Sequence, residues 1–402
     1  MRSKSLMFLL TTVLLLSTGF AAKKVNIPRR QNVVFKTLYR FTGGSDGGDP
    51  FRRMSLDGQG NLYGMVDGGG MYNNGGVFKL INNNGSYSFV LLHSFNSAEG
   101  RPSFNELTLS RGTVYGATQY GGPNGCGNLF SMRNDGSKFT ILYEFCSSDT
   151  DGAYPVGRMA IDNAGNVYGT TNLGGLYHFG TVFEYSGGTL TRLTDFDSTD
   201  SGGYYPGAGV RLDQSGNLWG TNTFGGSGGD GTVFELTPNG GGGWNLNTIH
   251  SFSGGDGDFP AHSRLAFFKD SNIFGTTDFG GKGYGVVYEL QRNNNYKEVI
   301  VHSFTGQSDG ADPDGQLRRA DNNHIFGTAQ NGGDQSCAGG CGVVFELTRT
   351  SNGWREIVLH TFDRISGCFP SSGVVLDTKG NAFGTTMDCN DNGTVFEISG
   401  LQ

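Results

Sequence analysis

Four copies of the phrase Asp-Gly-x-x-Pro set Asp46, Asp151, Asp256 and Asp309 in loops. Loop carboxylates bind hard cations, accept hydrogen bonds from sugar hydroxyls or, in pairs, cleave glycosidic bonds. Equivalent places elsewhere hold Gly202 and Ser366, with Glu99 displaced by one residue. An aspartate before glycine also closes its own turn, so a structural role is expected of each copy. A ligand role is expected where further acids crowd the same loop, as Asp149 does beside Asp151, and Asp312 and Asp314 beside Asp309. The chain calls for no cofactor. Ca²⁺ is the ion these acids suit, although none of the runs matches the twelve-residue calcium loop. Tyr154, Tyr204 and Tyr205 stand in the same loops, and Tyr120, Tyr177 and Phe224 in their neighbours. Their rings offer faces for stacking on sugars as well as for packing. The candidate ligand-binding residues are therefore Asp46, Asp151, Asp256, Asp309, Tyr154, Tyr204 and Tyr205.

Catalytic residues do not announce themselves. Gly-x-Ser-x-Gly occurs around Ser45, Ser227 and Ser308, but a nucleophile elbow needs a strand before the serine and a helix after it, and the flanks here are Gly/Ser-rich loops. His93, His250, His302 and His360 share one position with Tyr39 and Tyr143, the second residue of Leu-x-x-Phe. A residue that alternates with tyrosine reads as a packed side chain with a satisfied polar tip. His178 and His262 fall in loops and His324 at a strand turn, none with a partner at metal-ligand spacing. Six cysteines favour disulfides. Cys126 precedes the third strand of the second repeat and Cys146 follows its fourth, which antiparallel pairing brings together. Cys337 with Cys341 and Cys368 with Cys389 is the preferred arrangement of the rest, and Cys341 with Cys368 is its rival. No metal site is expected. Asn84-Gly85-Ser86 and Asn392-Gly393-Thr394 are acceptors for glycosylation in a eukaryotic host.

The elements that must position these residues come from a repeat. An aromatic-Gly step recurs at Gly64, Gly116, Gly169, Gly220, Gly275, Gly327 and Gly384, between 51 (169 to 220) and 57 (327 to 384) residues apart. A period near fifty marks a repeat architecture. In the first copy, residues 54–57, 61–65, 76–80 and 89–95 read as four short strands separated by turns. Four antiparallel strands per repeat make the blade of a β-propeller. Glycine is 70 of 402 residues and sits at motif positions, while 30 Phe and 16 Tyr recur where a core needs them. Glycine at the aromatic-Gly step is expected to clear space where blades approach. The strand at 35–41 has the character of a fourth strand, and the last repeat ends at its third. The expectation is an all-β, seven-bladed propeller over 35–399, closed when the N-terminal strand joins the last blade.

The phrasing resembles the tandem repeat called GloVer, stated most fully in Gly-Thr-Val-Phe-Glu-Leu at 231–236 and Gly-Thr-Thr-Asp-Phe-Gly-Gly at 275–281. The resemblance runs through all seven copies and implies a propeller at the cell exterior, with no established activity. Relatives of this type often end in a surface anchor, which is not expected here.

Residues 1–21 read as a signal peptide, with Arg2 and Lys4 before an apolar run and small residues near Ala21; residues 22–34 form an arm. No membrane span is expected. Removing Arg2 and Lys4 takes the formal charge from -7 to -9, and no Lys/Arg cluster is visible along the chain. Nucleic acid and anionic membranes are therefore poor partners. The expected role is that of a secreted, extracellular, monomeric binding or interaction module for a glycan or a protein. A propeller-type polysaccharide hydrolase or lyase and a structural component of an extracellular coat are the alternatives. An enzyme should break the sevenfold likeness by gathering acids or histidines from different blades around one pocket.

Overall fold

The computed structural model describes residues 33–401 apart from 149, 200, 263, 269–271, 388, 390 and 391. The expected signal peptide and most of the arm lie outside the described residues, as does Asp149. Seven separate sheets, each antiparallel along its four main strands, form a seven-bladed propeller. Blade 1 runs from the axis outward as Ser55–Leu56, Leu62–Val66, Gly76–Asn83 and Ser86–Ser94. Blade 7 is built from Val375–Leu376, Ala382–Thr386, Thr394–Ser399 and the N-terminal strand Val34–Arg40. Val34 pairs with Ser399 and Arg40 with Thr394, so the outermost strand of the last blade comes from the start of the chain. This is the closure expected from the unequal ends of the repeat array, and it leaves no strand of the final repeat unpaired at an edge.

The two middle strands of a blade are buried on both faces, as in Leu62–Val66 and Ile273–Thr277. The core accordingly lies between blades. Phe274, Val287 and Phe304 of blade 5 pack against Leu317, Ile325 and Phe345 of blade 6, and Phe383 and Val395 of blade 7 against Met54, Leu62 and Phe78 of blade 1. The aromatic-Gly step serves a different contact from the one expected. A Cβ at Gly64 would overlap the ring of Phe78 and crowd Met54, both of the same blade, and Gly384 stands likewise against Phe396. The glycine makes room for its own blade's next strand and not for the neighbouring blade.

The histidines that alternate with tyrosine are packed side chains. His93 stacks on Phe139 of the next blade at 3.9 Å and bonds Glu99 at 3.0 Å; Tyr39 stacks on Phe89 at 4.3 Å and donates to Asp46 at 2.9 Å. His360 lies on Phe35 of the closing strand at 3.8 Å. Disulfides join Cys126 to Cys146, Cys337 to Cys341 and Cys368 to Cys389, with Cα separations of 5.9, 5.1 and 5.5 Å. The sulfurs of the last two pairs share one pocket, with Cys337 Sγ 3.0 Å from Cys368 Sγ.

Candidate functional site

The innermost strands line the axis, and alternate residues of a strand face the same way. Parity therefore sorts their inward residues into layers. The first, nearest the Asp-Gly-x-x-Pro loops, contains Phe51, Phe104, His262 and Asp314; the second Arg53, Glu106, Arg158, Arg264 and Gln316; the third Ser55, Thr108, Arg211 and Arg318. Neighbouring inner strands are tied together, with Arg158 facing Glu106 in a parallel pairing and Gln316 bridging to Gly373.

The first layer is a plug. Arg52 Nη1 lies 3.1 Å from Asp314 Oδ1, and His262 Nδ1 lies 2.8 Å from Asp278 Oδ2 and 3.5 Å from Asp314 Oδ1. The Arg52 guanidinium covers the rings of Phe51 and Phe104 at 4.8 and 4.9 Å, and Phe104 stacks on His262 at 5.9 Å. Residues of blades 1, 2, 5 and 6 touch one another here, which places the contact on the axis. Burial depresses the His262 imidazole's affinity for its proton, but the carboxylates of Asp314 and Asp278 more than offset this and hold its pKa above the usual value. His262, Asp278 and Asp314 have the spacing of a metal site, and Arg52 supplies a cation beside Asp314.

Below the plug the second and third layers bring together five arginines and one glutamate. Arg53 hydrogen-bonds Gln316 and donates to Val374 O at 3.1 Å; Arg211 donates to Leu265 O at 3.1 Å and Arg264 to Val210 O at 2.9 Å. Burial first, and then the charge of Arg158, lowers Arg53 to about 9 and Arg211 to about 10. Both remain cationic at neutral pH. No Lys/Arg cluster is visible along the chain because each of these residues comes from a different repeat. The legible signal is the register: each lies one residue before or after a buried apolar residue of its repeat, as Arg53 does before Met54 and Arg158 before Met159.

Beside the plug, on the same face, is a pocket of about 260 Å³ walled by Phe104, Tyr120, Tyr205, Phe224, Phe259 and His262, with Gln119, Asn172 and Thr223 among its polar groups. Its rings form a continuous series, Tyr205 to Phe224 at 6.2 Å, Phe224 to Phe259 at 5.3 Å and Phe259 to His262 at 5.8 Å. The backbone supplies the reason. The residue before the loop proline is left-handed in six blades, at Asp49, Tyr154, Tyr205, Phe259, Asp312 and Phe369. Each donates its N–H to a loop contributed by the preceding blade, as Tyr205 does to Phe179 O and Phe259 to Asp230 O. This tie holds one variable side chain per blade on the rim, in a conformation that non-glycine residues adopt at a cost.

The sequence candidates distribute as follows. The loops carrying Asp46, Asp151, Asp256 and Asp309 do lie against the Gly-Gly loops, as the Gly48–Gly68 and Asp258–Phe279 bridges show. The four carboxylates close their own loops: Asp46 accepts from Thr42 N, Asp151 from Ser147 N and Gly152 N, Asp256 from Ser253 N and Asp309 from Thr305 N. No two of them share a partner. Tyr205 lines the pocket, with Tyr204 against it at 5.0 Å, and Tyr154 packs on Tyr120 at 5.5 Å. His262, expected in a loop with no partner at metal-ligand spacing, stands in the plug because its partners Asp278 and Asp314 are distant in sequence. Asp314 joins it there, while Asp312 bonds Asn331. Ser45, Ser227 and Ser308 precede no helix, the one helical element among the described residues being the turn Arg292–Asn294. Asn84 is exposed at a hairpin tip, and Asn392 packs against Gly43. No described helix is long and apolar enough to cross a membrane.

Comparison with solved structures shows the fold. The extracellular domain of a protein assigned as a one-component system in B. thetaiotaomicron aligns with TM-score 0.55 and 12% identity over 90% of this chain and 39% of that one. An ancestral GH74 enzyme aligns with TM-score 0.53 and 14% identity over 87% and 47%, so this chain spans less than half the length of either. A protein assigned as a 6-phosphogluconolactonase from Bacteroides fragilis aligns with TM-score 0.50 and 13% identity over 80% and 85%. A search of curated proteins finds no match. The repeat signature itself is matched at residues 26–161, 147–267 and 245–400 by the model of the Gloeobacter/Verrucomicrobia repeat. With matched segments running through every blade, the chain belongs to the Gloeobacter/Verrucomicrobia repeat family.

Proposed function

We propose that this propeller is a secreted, monomeric binding module that takes a glycan in the aromatic pocket beside the plug. The observation that carries this reading is the pocket's composition: ring faces on several sides and amide and hydroxyl groups between them. That is the combination that stacks on a pyranose and hydrogen-bonds its hydroxyls. Tyr120 and Phe224 are 44% and 38% exposed, leaving ring surface open to a ligand. Three disulfides and the leader-like N-terminus support an extracellular site of action. Hydrolysis is the second reading, favoured by the break in sevenfold likeness at His262, Asp278 and Asp314. Against it, these acids are buried and already paired, whereas a glycosidase keeps a free carboxylate and a protonated partner facing its substrate. A polysaccharide array read for retention and for released reducing ends tests both. Retention without products is expected; products lost on Asp278→Asn would replace binding with hydrolysis.

A further inference from the structure

Among the described residues, the channel below the plug carries more positive charges than carboxylates to match them. Arg53, Arg158, Arg211, Arg264 and Arg318 face one carboxylate, Glu106, a formal excess of four positive charges (five less one), in a chain whose net charge is -7. Guanidinium groups are not deprotonated in proteins at neutral pH. Arg53, Arg211 and Arg264 are tied to carbonyl oxygens of neighbouring blades, which offer dipoles and no counter-charge. Among the described residues Arg158 and Arg318 have no hydrogen-bond acceptor, and Glu106 pairs with none of the five within ion-pair distance, its Oε2 being buried without a partner. Arg52, one layer above, is paired with Asp314, and the rim residue Arg101 with Asp67 at 2.8 Å.

We propose that the channel binds an oxyanion, a carboxylate, phosphate or sulfate group, which enters from the face opposite the plug and is held by Arg158 and Arg318. The planar fork of a guanidinium matches such groups in a bidentate geometry, and low-dielectric walls lined with one sign of charge concentrate the field on an entering anion. The direction of entry follows from exposure. The end near the Asp-Gly-x-x-Pro loops is closed by Arg52, Asp314 and His262, whereas Arg318, in the third layer, is exposed. The site is independent of the aromatic pocket, which opens on the other face.

Retained repulsion has a signature that a purely structural arginine would lack. The Arg158→Gln, Arg318→Gln double variant should melt higher than the wild type without ligand, because like charges have been removed, and should bind oxyanions roughly 10- to 100-fold more weakly, the loss of charged hydrogen bonds. The experiment is titration calorimetry with thermal melts at low ionic strength, using inorganic phosphate, citrate and trigalacturonate, with chloride at matched ionic strength as control. Stabilisation by phosphate or citrate identifies a free anion as sufficient; stabilisation by trigalacturonate alone identifies an acidic group carried on a glycan. Both support the site. It is overturned if no oxyanion stabilises the protein beyond chloride, or if the double variant binds as tightly as the wild type. Arg318→Gln alone, at the exposed end, gives the same reading should the double variant fail to fold.

Discussion

Arg52 of blade 1 and Asp314 of blade 6 meet at 3.1 Å across the axis of the propeller, skipping blade 7 entirely. Both side chains are buried, about 6% and 5% exposed, so the pair depends on each partner being present. Asp314→Asn should destabilise by roughly 3–5 kcal/mol, because the Arg52 charge is left buried and uncompensated, and Arg52→Ala by less, because His262 remains 3.5 Å from Asp314. Chemical denaturation of the two single variants and the double variant checks this: the double should cost less than the sum of the singles, the mark of a direct interaction.

Ring closure rests on the strand Val34–Arg40, and on Phe35 in particular. Its ring stacks on His360 at 3.8 Å and meets Phe362 and Phe396 at 5.7 and 5.8 Å. Phe35→Ala should cost roughly 3–5 kcal/mol as a large-to-small change in a packed cluster. Deleting residues 33–41 should abolish the single cooperative melt, and an unchanged transition would show that blade 7 closes by other means.

The same contact makes closure sensitive to acid. Burial lowers His360 from 6.5 to about 4, and among the described residues its Nε2 has no hydrogen-bond partner. The unfolded chain therefore takes up a proton before the folded one does. The stabilising contribution of the neutral ring is complete above pH 6.5 and is lost as the pH falls from 6.5 to about 4, about 3 kcal/mol in all. His360→Phe keeps the stacking and removes the titration, so its stability curve should be flatter than the wild type's across that window.

The architecture was legible in the sequence because every blade restates the same phrase, so even the closure could be read from the missing strand at one end and the spare one at the other. The Cys126 to Cys146 bridge followed from that register alone. The axis was not legible in the same way. Arg53, Arg158, Arg211, Arg264 and Arg318 come from five different repeats, and His262, Asp278 and Asp314 from two blades. Only the ring geometry brings these residues together. The conspicuous aspartates, by contrast, stand out because they recur, and each of the four closes its own loop.

Peptide mapping under non-reducing conditions should return Cys126 with Cys146, Cys337 with Cys341 and Cys368 with Cys389. Replacing Cys126 and Cys146 by serine should cost about 3 kcal/mol, the entropy of a loop closed over 20 residues.

The most direct test of the binding reading compares the wild type with Phe224→Ala on the strongest glycan found by array, by titration calorimetry. Phe224 is 38% exposed on the pocket wall, so its loss should leave the melting temperature nearly unchanged while weakening glycan affinity roughly tenfold or more, the contribution of one stacked ring. Equal affinity in the two proteins, or no glycan retained by the wild type, would contradict the assignment of this pocket as the binding site.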